Sequence, residues 1–265
     1  MKIEGSIRKM RSVHEHPVKY YLPIGSEELD MNALIGSDVR IEFSGEINCI
    51  RCGRTTNKSF SQGFCYPCFI SAPETEECVL RPELCQAHDG IARDMEYAKD
   101  HCLIEQVVYL SLTSDLKVGV TRSTQVPTRW IDQGAVKAVE LARTPNRFLA
   151  GQIEVSLKKH LKDKTNWRAM LKNEIPDIDL VSAKNEIAGL VPKELSVYLT
   201  ANDKIWEIDF PIGESAMKIS SYNFDKDPVI QATLSGIKGQ YLLFEEGKVL
   251  NIRKFGGYKL AINFE

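Results

Sequence analysis

Four cysteines in the stretch CIRCGRTTNKSFSQGFCYPC constrain the fold of this chain more than any other feature. Cys49 and Cys52 form one CxxC pair, Cys65 and Cys68 form a second, and a twelve-residue spacer containing Gly53 and Gly63 separates them. A CxxC turn supplies two thiolates from one tight loop, so two such turns offer the four corners that a tetrahedral zinc ion requires. A zinc held by four thiolates has no open position for water, which makes this cluster a clamp rather than a hydrolytic centre.

The remaining cysteines, Cys78, Cys85 and Cys102, follow within the next thirty-four residues. His88 stands three positions after Cys85, and the spacing groups Cys78, Cys85, His88 and Cys102 into a second four-ligand zinc site, with His101 as the competing imidazole. All seven cysteines are thereby assigned to metal. The N-terminal MKIEGSIRKMRS lacks the apolar centre of a signal peptide, and no run of about eighteen apolar residues occurs. A cytoplasmic location without membrane insertion is the expectation, and reduced thiols there favour metal over disulfides.

Around the cysteines, residues 1–48 read as an N-terminal β segment, with Val18–Leu22 and Val39–Phe43 extended between Pro, Gly, Ser and Asp turns. Residues 49–102 read as a small zinc-binding unit whose hydrophobic core is thin enough to need a metal. From 103 to 175 the pattern is mixed. Ile104–Leu112 and Leu116–Val120 predict a hairpin across Thr113-Ser114-Asp115, followed by a short helix opened by Pro127 and stopped by Gly134, then a strand over Val136–Ala142.

Thr144-Pro145 reads as the cap and first turn of a helix carrying Leu149, Ile153, Leu157 and Leu161 every four residues. A short helix is expected around 182–190. Residues 176–265 read as a mainly β domain with strands over Ile205–Ile212, Gln240–Phe244, Val249–Ile252 and Tyr258–Phe264, forming a small barrel or sandwich. A loose echo between Leu34–Phe43 and Leu234–Phe244 suggests packing of this domain with 1–48. The expected class is α+β.

Net charge is −2, which excludes a molecule coated in basic surface but leaves room for a local stripe. Lys158, Lys159, Lys162, Lys164, Arg168 and Lys172 make one, with Trp167 interleaved. Such a run is either a solvated helix face or a phosphate contact, the latter carrying the salt dependence of counterion release. Arg51, Arg54 and Lys58 extend the basic footprint, and Phe60, Phe64, Tyr66 and Phe69 are either stacking surfaces or the miniature core of the first cysteine unit.

VVYLSLTSDLKVGVTR, with RW at 129–130 and NRFLAGQIE at 146–154, resembles the minimal core of the GIY-YIG endonuclease superfamily over about residues 107–160. That resemblance implies an α/β core in which Tyr109 takes the first-motif tyrosine, Gly119 the second-motif glycine, Arg129 the helical arginine and Glu154 the carboxylate for a magnesium or manganese ion. Lys117 stands where most active members carry a second tyrosine. The implied activity is cleavage of a phosphodiester in DNA or RNA, with Tyr109, Arg129 and Glu154 catalytic and Lys117, Arg122, Lys158, Lys159, Lys162 and Arg168 meeting the nucleic acid.

The local alternatives are an ion pair between Glu154 and Lys158 across one helical turn, a core ring for Tyr109, and a stacking or Asp132 partner for Arg129. The competing function is a non-catalytic zinc-containing module that binds nucleic acid or protein. Nearly the whole chain, through KVGVTR at 117–122, PTRWIDQGA at 127–135 and DKTNWRAML at 163–171, is also similar to an uncharacterised bacterial family with cysteine knuckles.

Overall fold

The computed structural model describes residues 1–161, 166–213 and 218–264. In chain order the regular elements are β1 (Lys2–Ser6), β2 (Arg11–Val13), β3 (Lys19–Ile24), β4 (Glu27–Asp30), β5 (Asp38–Ile47), α1 (Tyr66–Ser71), α2 (Met95–His101), β6 (Gln106–Leu112), β7 (Leu116–Arg122) and α3 (Thr128–Asp132). There follow β8 (Lys137–Thr144), α4 (Arg147–Leu157), α5 (Trp167–Leu171), α6 (Leu180–Ala188), β9 (Trp206–Glu207), β10 (Ser220–Ser221), β11 (Val229–Lys238), β12 (Tyr241–Phe244), β13 (Lys248–Asn251) and β14 (Tyr258–Phe264). The class is mixed α+β with several sheets.

Two compact units divide the chain, one made of Met1–Ile70 with Asp209–Glu265, the other of Ser71–Ile208. The first unit carries a sheet in the order β1-β14-β5-β11-β12-β13-β10 and a smaller sheet β2-β3-β4. Alternation places Tyr20, Leu22 and Ile24 of β3, and Tyr258, Leu260 and Ile262 of β14, in the core. Phe43, Phe255 and Tyr258 add an aromatic cluster with ring centroids 4.7 and 5.1 Å apart.

The second unit holds an antiparallel sheet in the order β7-β6-β8-β9. β6 is buried along its whole length, which explains why QVVYLSL reads as a continuous run instead of an alternating one. One face, through Val108, Leu110, Val118 and Leu141, packs on Ile153 and Leu157 of α4 and on Leu180 and Ile187 of α6. An irregularity between Val108 and Tyr109 lets Leu141 and Ala142 of β8 both enter that core.

Several boundaries differ from the sequence reading for local reasons. Asn146, not Thr144, caps α4, because Thr144 is still paired with Gln106 in the sheet while the Asn146 side chain accepts from the Leu149 amide at 3.0 Å. The helix ends at Leu157. Pro127 is the residue before α3, and Gly134 closes that helix at a φ of +70°. Asp179 caps α6, moving its start to Leu180. Within 205–212 only Trp206–Glu207 forms a ladder, against Lys137–Ala138. The sequence reading gave no strand over Val229–Lys238, which pairs with β5 through Ile230 opposite Ile41 and Ala232 opposite Val39.

Candidate functional site

The first cysteine cluster is assembled from two short turns. The Cys49 amide donates to the Arg54 carbonyl and the Gly53 amide to the Cys49 carbonyl, each at 2.9 Å, closing the first. Phe60 and Phe64 bridge just ahead of the second pair, which opens α1 with the Phe69 amide donating to the Cys65 carbonyl at 2.8 Å. The four sulfurs of Cys49, Cys52, Cys65 and Cys68 all lie within 4.8 Å of one another, and the Cys52 and Cys65 Sγ atoms are 3.8 Å apart. A tetrahedral zinc with bonds of about 2.3 Å needs sulfur–sulfur edges of about 3.8 Å, so the donor set fits that ion.

Burial opposes ionisation of Cys49, but amides of Cys52 and Cys65 outweigh it and bring the thiol down to about 6. Cys68 is pushed up to about 12 by burial and by its neighbouring sulfurs. Four close sulfurs cannot all carry charge alone, and a dication removes that conflict. Phe60 packs on Tyr66 and Phe69 at 5.4 and 5.7 Å, but Tyr66 is exposed and the other two are half-buried, so of the loop's four aromatics only Phe64 is buried.

The second cluster is built from dispersed segments. Cys78 lies in a single 3-10 turn, Cys85 follows the turn Pro82–Leu84, and Cys102 sits just beyond the end of α2. All three are buried and their sulfurs lie within 4.8 Å of one another. No histidine nitrogen joins that group among the described residues. The His88 ring instead stacks on Phe148 at 4.4 Å, and its Nε2 is 3.5 Å from Asp89 Oδ2. His101 stacks on Tyr97 with Nδ1 2.9 Å from the Tyr97 carbonyl, and burial lowers its pKa.

Arg147, which the sequence reading passed over, ties the second cluster to α4. Its guanidinium donates to the carbonyls of Cys78 at 3.3 Å and His101 at 3.2 Å, and its amide donates to the Cys102 carbonyl at 2.8 Å. One turn later, a Cβ on Gly151 would lie 2.2 Å from the Glu83 amide nitrogen. The missing side chain is what lets the turn before Cys85 rest directly on the helix.

Tyr109, Arg129 and Glu154 come from β6, α3 and α4, and Arg129 acts electrostatically on both of the others. Tyr109 pairs with Gly119 across the β6–β7 ladder, where a Cβ would come 2.6 Å from the phenol oxygen. Its hydroxyl donates to Gln133 Oε1 at 3.0 Å and its ring meets Trp130 edge-on at 5.7 Å. Burial raises the Tyr109 pKa, the Arg129 cation opposes that rise and the Glu154 carboxylate adds to it. The phenol is fully buried.

Burial likewise raises the Glu154 pKa, with Lys158 opposing, Glu83 adding and Arg129 opposing. Lys158 Nζ lies 3.2 Å from Glu154 Oε2 in an ion pair, yet no hydrogen bond of good geometry reaches that oxygen. Glu83 Oε2 is in the same condition. Burial and the nearby Arg129 bring Lys117 down to about 8. Gln133, within the PTRWIDQGA stretch, and Glu83, which no sequence motif marks, are further members of this neighbourhood.

The basic residues separate. Lys117 and Lys158 belong with Arg129 and Glu154, and Lys159 is exposed beside them in sequence. Arg122, half-buried at the end of β7, is instead influenced by Tyr97 and Arg147. Arg168 lies over the Trp167 ring at 4.2 Å. Lys162 and Lys164 lie outside the described residues.

Fold and clusters together define a mixed α+β protein whose four- and three-cysteine groups are compatible with zinc. Among the described residues no helix is long and apolar enough to cross a membrane. The model of the family described as a protein of unknown function, DUF2797, matches residues 36–260, a span that includes both clusters, and the chain belongs to that family. No curated protein and no solved structure was found to match it.

Proposed function

We propose that the protein binds nucleic acid and that its 103–175 region is a GIY-YIG-like, divalent-metal-dependent phosphodiesterase core stabilised by zinc bound to the cysteines. The observation that carries this reading is that Arg129 of α3 acts electrostatically on both Tyr109 of β6 and Glu154 of α4, three elements that thus share one neighbourhood. A magnesium or manganese ion, implied by the resemblance, fits the carboxylates on one count: Glu154 Oε2 and Glu83 Oε2 are buried atoms lacking hydrogen-bond donors. Bound there, such an ion supplies Lewis-acid stabilisation of charge on a phosphoryl oxygen.

The remaining roles fall to the chain itself. Arg129 and Lys117 offer positive charge to the phosphate, and Lys158, Lys159 and Arg168 extend the contact along the backbone. Tyr109, hydrogen-bonded to Gln133 and lying on Gly119, forms the floor of the site and orients Arg129.

The complete burial of that phenol favours a second reading, in which the same surface binds nucleic acid without cutting it. Incubating purified protein with mixed DNA and RNA plus magnesium or manganese, beside Glu154→Ala, separates the two. Cleavage by the wild type alone supports the enzyme. Equal cutting by both proteins, or by neither, removes it, and binding that does not weaken with salt removes the nucleic-acid partner as well.

A further inference from the structure

The second cysteine cluster differs from a structural zinc site in one respect, its access to space. A cavity of about 510 Å³ is lined by Cys78, Cys85 and Cys102 together with His88 and Phe148. The three cysteines therefore line one half-open pocket large enough for a small molecule. The imidazole that spacing assigns to the fourth corner is engaged with Phe148 and Asp89, and its nitrogens stand outside the sulfur group.

We propose that Cys78, Cys85 and Cys102 form a metal site with three protein ligands, whose fourth position opens into this cavity and takes a small exogenous thiol. Three donors plus one open position is the arrangement of zinc sites that exchange a ligand, whereas four protein donors close the ion off. A dication with three thiolates carries one excess negative charge, and the Arg147 guanidinium, bonded to the Cys78 and His101 carbonyls, is placed to offset it.

The cavity wall selects the ligand. Glu76, Glu77, Glu83 and Asp89 line it, so a ligand that carries charge beyond its donor atom, such as phosphate, is repelled, while a small neutral thiol binds through sulfur alone, as the thiolate, with its proton released to solvent. This assignment does not depend on phosphodiester chemistry, and its failure leaves the reading of Glu154 untouched.

Loading the full-length protein with cadmium-113 and recording its NMR spectrum reads the two clusters separately, since shielding of the nucleus reports the number of bound sulfurs. Two signals are expected, one from four sulfurs and one from three. Adding 2-mercaptoethanol moves the second signal toward the first and leaves the first in place, and His88→Ala, at an exposed residue, leaves both positions unchanged. Absence of a second signal, a shift of that signal in His88→Ala, no response to the thiol in the wild type, or displacement of both signals by it each overturns the proposal.

Discussion

The two cysteine clusters put the same atoms to use by different construction. Cys49, Cys52, Cys65 and Cys68 come from one stretch of twenty residues that supplies all four corners of a tetrahedron, and this stretch rests on Gly256 and Gly257 while its Ile50 carbonyl accepts from Arg8. Cys78, Cys85 and Cys102 are gathered from two 3-10 turns and the end of α2, and lean on α4 through Arg147 and Gly151. Local closure yields a site with all four of its donors. Assembly from dispersed segments yields one that depends on its neighbours and keeps room beside it.

Metal removal tests that contrast with the largest effect. Under a chelator the three-cysteine site, with fewer protein donors, releases its ion first, while the four-cysteine site holds its ion until the loop unfolds. Structural zinc of this kind contributes on the order of 10 kcal/mol to folding. Time-resolved metal release with parallel proteolysis of the 49–68 loop checks it; simultaneous release from both sites would erase the distinction.

Next in size, Arg129→Ala lowers any cleavage by about 10²–10³-fold, the scale of losing one preorganised electrostatic contact, and leaves cadmium loading of both clusters intact. A variant that loses metal as well as activity shows that the site and the second cluster are one device. Gly151→Ala drives a methyl into the Glu83 backbone, at a cost of about 1–3 kcal/mol in denaturant titrations. Its metal loss is expected at the second cluster alone.

The smallest effect is a pH dependence. Lys117 titrates at about 8 in the folded protein against about 10.4 when unfolded, so between those values the unfolded chain binds more protons and stability rises with pH. Lys117→Met removes a rise of about 1.4 kcal/mol per pH unit within that window. Urea midpoints for both proteins from pH 7.5 to 10.5 measure it, and identical slopes refute it.

What could be read from the sequence divides along the same line. The first cluster, the β6–β7 hairpin and the apolar stripe of α4 are written in spacings of two to sixteen residues. Strand β11 is different, because Ala232 finds Val39 from the far side of the whole Ser71–Ile208 unit and VIQATLSGIK has no clean alternation to announce it. Glu83 joins Glu154 only because Gly151 has no side chain, and no motif linking residues 83 and 151 exists to be read. His88 shows the converse: its spacing from Cys85 suits a ligand, but Phe148 takes its ring.

The grip of Arg147 falls on main-chain oxygens of residues 78 and 101 instead of on their side chains. Carbonyl oxygens are common to every amino acid, so neighbouring positions in that loop are at liberty to diverge in identity while its length is not. An insertion or deletion between 78 and 101 would slide the helix bearing Glu154 out of register.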